Sequence, residues 1–224
     1  IQYLLIFLTI FSTSVFAMDM NHCEYTQDEL GKKYPKMMHH DMNQSFDQLR
    51  TSIPSMQRMT NQQIMGMMKM MGPNYYWPVS NQGSVNNGVL IMAHGYGPGG
   101  DQDLFDSAHS VGMIYQTTLS MGMSMMTSSH VICSVNEMIH NDVEKIFVVP
   151  VSSTAHNTLV RQWNYIFGLE ENYAYAEVEQ INNEKIVMLD PISDDLYAKK
   201  IILEYTNEIS SDPSNEVLII IAHG

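Results

Sequence analysis

The chain has 224 residues, 45% of them hydrophobic, which is enough apolar material for a packed core and excludes a chain disordered throughout. Its formal net charge of -13 is unevenly placed: residues 18–80 carry six acids and six bases, whereas residues 81–224 carry 18 acids and five bases. A surface that acidic repels nucleic acid and anionic membrane and attracts cations, so no nucleic-acid partner is expected.

Residues 1–17, IQYLLIFLTIFSTSVFA, are uncharged and mostly apolar, with Val15 and Ala17 at the -3 and -1 positions of a signal-peptidase site. They predict a signal peptide cut after Ala17 and an exported, periplasmic protein; an uncleaved anchor is the alternative, though the stretch is short for a full span. The chain opens at Ile1 with neither Met nor a basic stretch, which reads as a truncated front. Cys23 and Cys133 are too few for a disulfide framework or a metal knot, and the sequence leaves open whether they pair.

Residues 18–85 read as a Met/His-rich leader and linker, partly helical. Of the 20 methionines, 12 lie between Met18 and Met71. Met18, Met20, His22 and Cys23, then Met37, Met38, His39, His40 and Met42, gather thioether, imidazole and thiol ligands of the kind that selects Cu(I). A compositionally biased leader without a ligand role is the plainer reading. Met56, Met59, Met67 and Met70 fall near helical spacing, with Ile64, Met68 and Met71 on a neighbouring stripe, predicting a packing helix that Gly72-Pro73 ends. The stretch Tyr75-Tyr76-Trp77-Pro78 and the polar run from Ser80 to Gly88 read as a linker.

From Val89 onward short apolar runs alternate with amphipathic stretches, the pattern of βαβ units and a parallel sheet flanked by helices. Strands are expected at Val89–Ala93, residues 118–125, Lys145–Val151, Lys185–Leu189 and Val217–Ala222. Helices are expected at residues 102–116, from Ser128 or Ser129 to Val143, from Ala155 to Phe167, and from Asp194 or Asp195 to Ile209. The segment VLIMAHG, ending His94-Gly95, recurs as VLIIIAHG, ending His223-Gly224, 129 residues later. The repeat divides the chain into an α/β lobe at residues 86–214 and the first strand of a second lobe at 215–224, with the C-terminus read as a truncation.

In open α/β sheets, sites form beyond the carboxyl ends of the parallel strands. His94 stands at such an end, before a stretch from Gly95 to Gly100 that holds four glycines, and His156 follows another strand end. Neutral imidazole suits divalent Co, Ni, Fe or Zn and accepts a proton. A competing hydrolase reading pairs His94-Gly-Tyr-Gly with an oxyanion strand and Gly122-Met-Ser124-Met-Met126 with a nucleophile elbow. Met126 is too large for the elbow's fifth position, and that reading leaves the repeat unexplained.

The Ala-His-Gly strand end, the Val-Val-Pro strand followed by His156, the Leu-Asp-Pro strand leading into a helix and the repeat length resemble the CbiX-type sirohydrochlorin chelatases. The likeness covers residues 86–224, as the N-terminal half of a tandem form, and none of the first 85. It implies a chelatase-like fold of two lobes around a tetrapyrrole cleft, the second lobe coming from the same chain or a homodimer partner. It further implies insertion of Co2+ or Fe2+ into a sirohydrochlorin-like tetrapyrrole without a nucleotide. His94 and His156 would then be the catalytic metal ligands and proton acceptors, and Ser152, Ser153 and Arg161 would bind substrate carboxylates. A non-catalytic exported protein handling copper or haem on the same fold is the second reading.

Overall fold

A computed structural model of the chain describes residues 23–36, 42–191 and 196–219. The expected signal peptide, Met18, Met20, His22, Met37, Met38, His39, His40, Asp194, Asp195 and the repeated His223-Gly224 lie outside the described residues. In chain order the elements are β1 (Tyr25–Gln27), β2 (Lys33–Pro35), α1 (Met42–Ser52), a 3-10 turn at Pro54–Met56, α2 (Asn61–Met70), β3 (Tyr75–Ser80) and β4 (Asn87–Ala93). There follow α3 (Gly97–Gly112), β5 (Gln116–Met121), α4 (Ser129–His140), β6 (Lys145–Pro150), α5 (Thr158–Ile166), β7 (Ile186–Met188) and α6 (Leu196–Ile209).

The strands form one sheet in the order β1-β2-β3-β5-β4-β6-β7. β5, β4, β6 and β7 are parallel, as the alternating pattern predicts. The sheet is mixed rather than all parallel, because β3 runs antiparallel to β5 and the β1–β2 hairpin extends the same edge. The aromatic stretch expected as a linker is therefore a sheet strand. Tyr75, Tyr76 and Trp77 are all buried, so the segment lacks the apolar–polar alternation that marks a half-exposed strand. Pro78 is tolerated because β2 pairs with β3 only at Tyr76, leaving the far half of β3 without a partner on that side.

Both faces of the sheet are covered, which explains the uninterrupted apolar run in β4. Val89, Ile91 and Ala93 face Tyr75, Trp77 and Ala108 on the α3 side, where Trp77 stacks on Phe105 with centroids 4.0 Å apart. Leu90 and Met92 face a larger core with Leu49 of α1, Met56, Ile64 of α2, Ile132 of α4 and Trp163 of α5. The methionine-rich region thus packs into the same body as the strands. The predicted single helix there is α2 preceded by a 3-10 turn, and Thr60 begins α2 with a capping box to Gln63. Lys33 Nζ lies 2.6 Å from Glu137 Oε2 of α4, and Cys23 is disulfide-bonded to Cys133 on the same helix.

At the C-terminal end, α6 exposes Ile201, Leu203, Tyr205 and Ile209. Of the predicted final strand, Val217, Leu218 and Ile219 are exposed and outside regular structure. Among the described residues, no helix is long and apolar enough to cross a membrane.

Candidate functional site

Four parallel strands end at one edge of the sheet, and β4 is central among them. Its last residues are tied to both neighbours. The Gly122 N–H donates to the Ala93 carbonyl at 2.8 Å, and the Val151 N–H donates to the Met92 carbonyl at 2.8 Å. Gly122 has φ of 135°, and a Cβ there would collide with the Asn74 side chain, so only glycine makes this join. His94 leaves the sheet from between these two fixed ends, with its imidazole exposed and 4.7 Å, centroid to centroid, from the Tyr96 ring.

The glycine-rich stretch is shorter as a loop than its composition suggests. Gly95 and Gly97 have φ of 96° and 80°, and α3 begins at Gly97, five residues before the predicted start. Pro98 favours this early start, since its ring presets helical φ and the first turn needs no N–H from it. The buried Asp101 carboxylate accepts the Tyr96 N–H at 2.6 Å and the Tyr75 hydroxyl at 2.7 Å.

His156 is exposed in the loop after β6, and its N–H donates to Thr154 Oγ1 at 3.2 Å. Because β6 pairs directly with β4, His94 and His156 leave the same edge from adjacent strands. Ser152, expected as a hydrogen-bond donor to substrate, has its proton committed. Its hydroxyl donates to the Thr154 carbonyl at 3.0 Å and accepts from Asn157 Nδ2 at 2.6 Å, a local turn that pattern reading does not reveal. Asn157 also caps α5, its Oδ1 accepting the Val160 N–H at 2.8 Å. Ser153 is exposed. Arg161 is exposed on the first turns of α5 and donates from Nε to Glu170 Oε2 at 3.4 Å, a surface pair that a ligand carboxylate can replace cheaply.

No protein-family model matches the chain, and no curated protein does. Among the described residues, no three of His, Cys, Asp or Glu converge to hold a metal ion. His94 and His156 are both exposed, one at the end of β4 and the other in the loop after β6.

The elbow-like Ser124 is not a usable nucleophile. It follows β5 at φ of 53°, and its Oγ shares a 3.2 Å hydrogen bond with His130 Nε2, which has the outline of a catalytic pair. Ser124 is 0% exposed and His130 1% exposed, with Met125 and Met126 packed into the same core, so no substrate reaches them. Burial pushes the His130 imidazole down to about 3, keeping it neutral. Ser128 holds the N-cap position of α4, one of the two serines expected there, but its side chain makes no cap bond and donates its hydroxyl to the Glu179 carbonyl at 2.6 Å.

The residues that sequence reasoning missed are Asp101, Tyr75, Tyr96 and Asn157. An acid just after the glycine run was a visible signal for Asp101. Tyr75 reaches the site only through the sheet pairing of β3 with β5.

Proposed function

We propose that this is an exported protein of chelatase-like α/β fold. It presents a divalent ion, Co2+ or Fe2+, to a sirohydrochlorin-like tetrapyrrole at the carboxyl edge of its sheet. The observation that carries the reading is the β4–β6 adjacency, which sends His94 and His156 from neighbouring strand ends to one edge. The two imidazoles would hold the incoming ion, which is substrate, through one ring nitrogen each; once the ion passes to the macrocycle nitrogens, those freed lone pairs accept the two pyrrole protons that it displaces. Ser153 and Arg161 are the polar groups available to substrate carboxylates, Arg161 by exchanging its Glu170 partner. Ser152 serves by holding the His156 turn.

The acidity of residues 81–224 favours cation delivery. The Cys23–Cys133 disulfide supports the exported setting, because such bonds persist in oxidising compartments. The exposed apolar side chains of α6, and the recurrence of the β4 sequence later in the chain, support a partner lobe supplied by the same chain or a second copy. The test is the absorbance change of sirohydrochlorin with Co2+ and the full-length protein. A rate above the spontaneous one, lost in His94→Ala and His156→Ala, is the expected result. A rate equal to the spontaneous one rejects catalysis.

A second reading, copper handling by the Met/His-rich segments, has one observation in its favour. The Lys36 N–H donates to the Glu24 carbonyl at 2.9 Å, so the segments before Cys23 and after Lys36 leave one end of the same hairpin. Those segments carry Met18, Met20, His22, Met37, Met38, His39 and His40, which themselves lie outside the described residues, while Cys23 is spent in the disulfide and supplies no thiol and Met42 packs against the core. Cu(I) titration tests it.

A further inference from the structure

The N-terminal strands lie outside the stretch that resembles a known family, yet one of their side chains reaches the turn that carries His94. Gly95 and Gly97 both take positive φ, and nothing beyond the neighbouring backbone lies within 4 Å of where either would carry a Cβ, so no side chain from elsewhere packs against them. A buried carboxylate ties the turn to the rest of the molecule. Asp101 Oδ1 accepts the Tyr96 N–H at 2.6 Å and Oδ2 accepts the Tyr75 hydroxyl at 2.7 Å, Asp101 being 6% exposed and Tyr75 4% exposed. Charge-assisted hydrogen bonds of this kind are short and strong, and here they join the turn to β3.

The far side of Tyr75 is held as firmly. The Lys32 ammonium lies 4.9 Å from the Tyr75 ring centroid and 4.5 Å from that of Trp77, and the Tyr34 ring packs 5.4 Å from Tyr75. On the site side, the Tyr96 ring lies against the His94 imidazole. Gly100 is needed for this placement, since a Cβ there would stand 2.5 Å from Tyr96 Cβ.

We propose that Asp101 and Tyr75 are positioning residues that fix the His94 imidazole through Tyr96, so that the N-terminal strands help to build the site. The inference deepens the proposed function but is read from the geometry of His94 itself. Its test needs neither metal nor tetrapyrrole.

The experiment is histidine-ring NMR on the full chain, following the His94 Cε1–H and Cδ2–H signals, which the Tyr96 ring displaces from their random-coil positions. Tyr96→Ala supplies the undisplaced reference, and His109, which contacts Phe105, supplies an internal check of folding. Asp101→Ala is expected to move the His94 signals to the Tyr96→Ala positions while those of His109 stay in place. Tyr75→Phe moves them part of the way. Asp101→Asn keeps an oxygen for the Tyr96 N–H and restores most of the displacement.

If Asp101→Ala does not fold, Tyr75→Phe alone decides. His94 signals unchanged from wild type in the variant that folds overturn the proposal. His94 signals that move in Asp101→Ala or Tyr75→Phe, together with a wild type that fails to metallate sirohydrochlorin, would keep the positioning role and reject the tetrapyrrole reading, which separates the two failures.

Discussion

His130 is the residue whose environment most clearly departs from the ordinary. It is sealed in the core with one hydrogen bond, to Ser124, and its Nδ1 has no partner. Desolvation lowers its pKa to about 3 in the folded state, against about 6.5 in an unfolded chain. Below pH 6.5 the unfolded state therefore binds the proton that the folded state refuses. Stability is therefore unaffected above that pH and declines as pH falls from 6.5 toward 3, by roughly 1 kcal/mol per unit. Urea unfolding of wild type and His130→Leu across pH 8 to 4 checks this. The two stability curves are expected to run parallel above pH 7 and to diverge below 6.5, with wild type falling faster. Leucine leaves Ser124 Oγ unpartnered, but that cost does not vary with pH. Curves that stay parallel to pH 4 would contradict the assignment.

At the scale of elements, the β1–β2 hairpin is a short edge unit that cannot hold itself. Its strands are three residues each, and β2 meets β3 at a single register pair. What fixes it is α4, through the Cys23–Cys133 bond and through Lys33, whose Nζ pairs with Glu137 while Glu137 also accepts the Tyr76 hydroxyl at 2.9 Å. The disulfide closes a separation of 110 residues, for which chain entropy gives a stabilisation of about 4.7 kcal/mol. Cys23→Ser or reduction is expected to lower the urea midpoint by a corresponding amount, and an unchanged midpoint would mean that the bond does not form. The sequence announced the elements whose pattern is strong and hid those whose pattern is not. β4 and β6 were legible because buried parallel strands read as apolar runs, and α5 because Gly168, at φ of 69°, marks its end. β3 was hidden by three consecutive buried aromatics and a proline. The predicted strand at 118–125 stops at Met121, where Gly122 turns the chain out of the sheet. The predicted start of α3 came late because glycine disfavours helices on average, while Pro98 and the Asp101 bond decide this one.

Over the whole molecule, the sheet order matters more than any one residue. His94 and His156 are 62 positions apart in the chain, and the β4–β6 pairing alone sends them to one edge. That edge was legible because the rule for strand ends needs only the strands. The fine structure of the site was not, because it depends on contacts between distant segments: Ser152 spends its proton on Thr154, Arg161 is already paired with Glu170, and Tyr75 arrives from β3. The central claim is that the two histidines act together on one ion. Its most direct measurement is Co2+ titration of wild type, His94→Ala, His156→Ala and the double variant, read by cobalt absorbance. One ion per chain is predicted, with each single variant weakening binding by about tenfold or more and the double variant losing less than the sum of the two. Single variants that bind like wild type, or losses that simply add, would contradict a shared site.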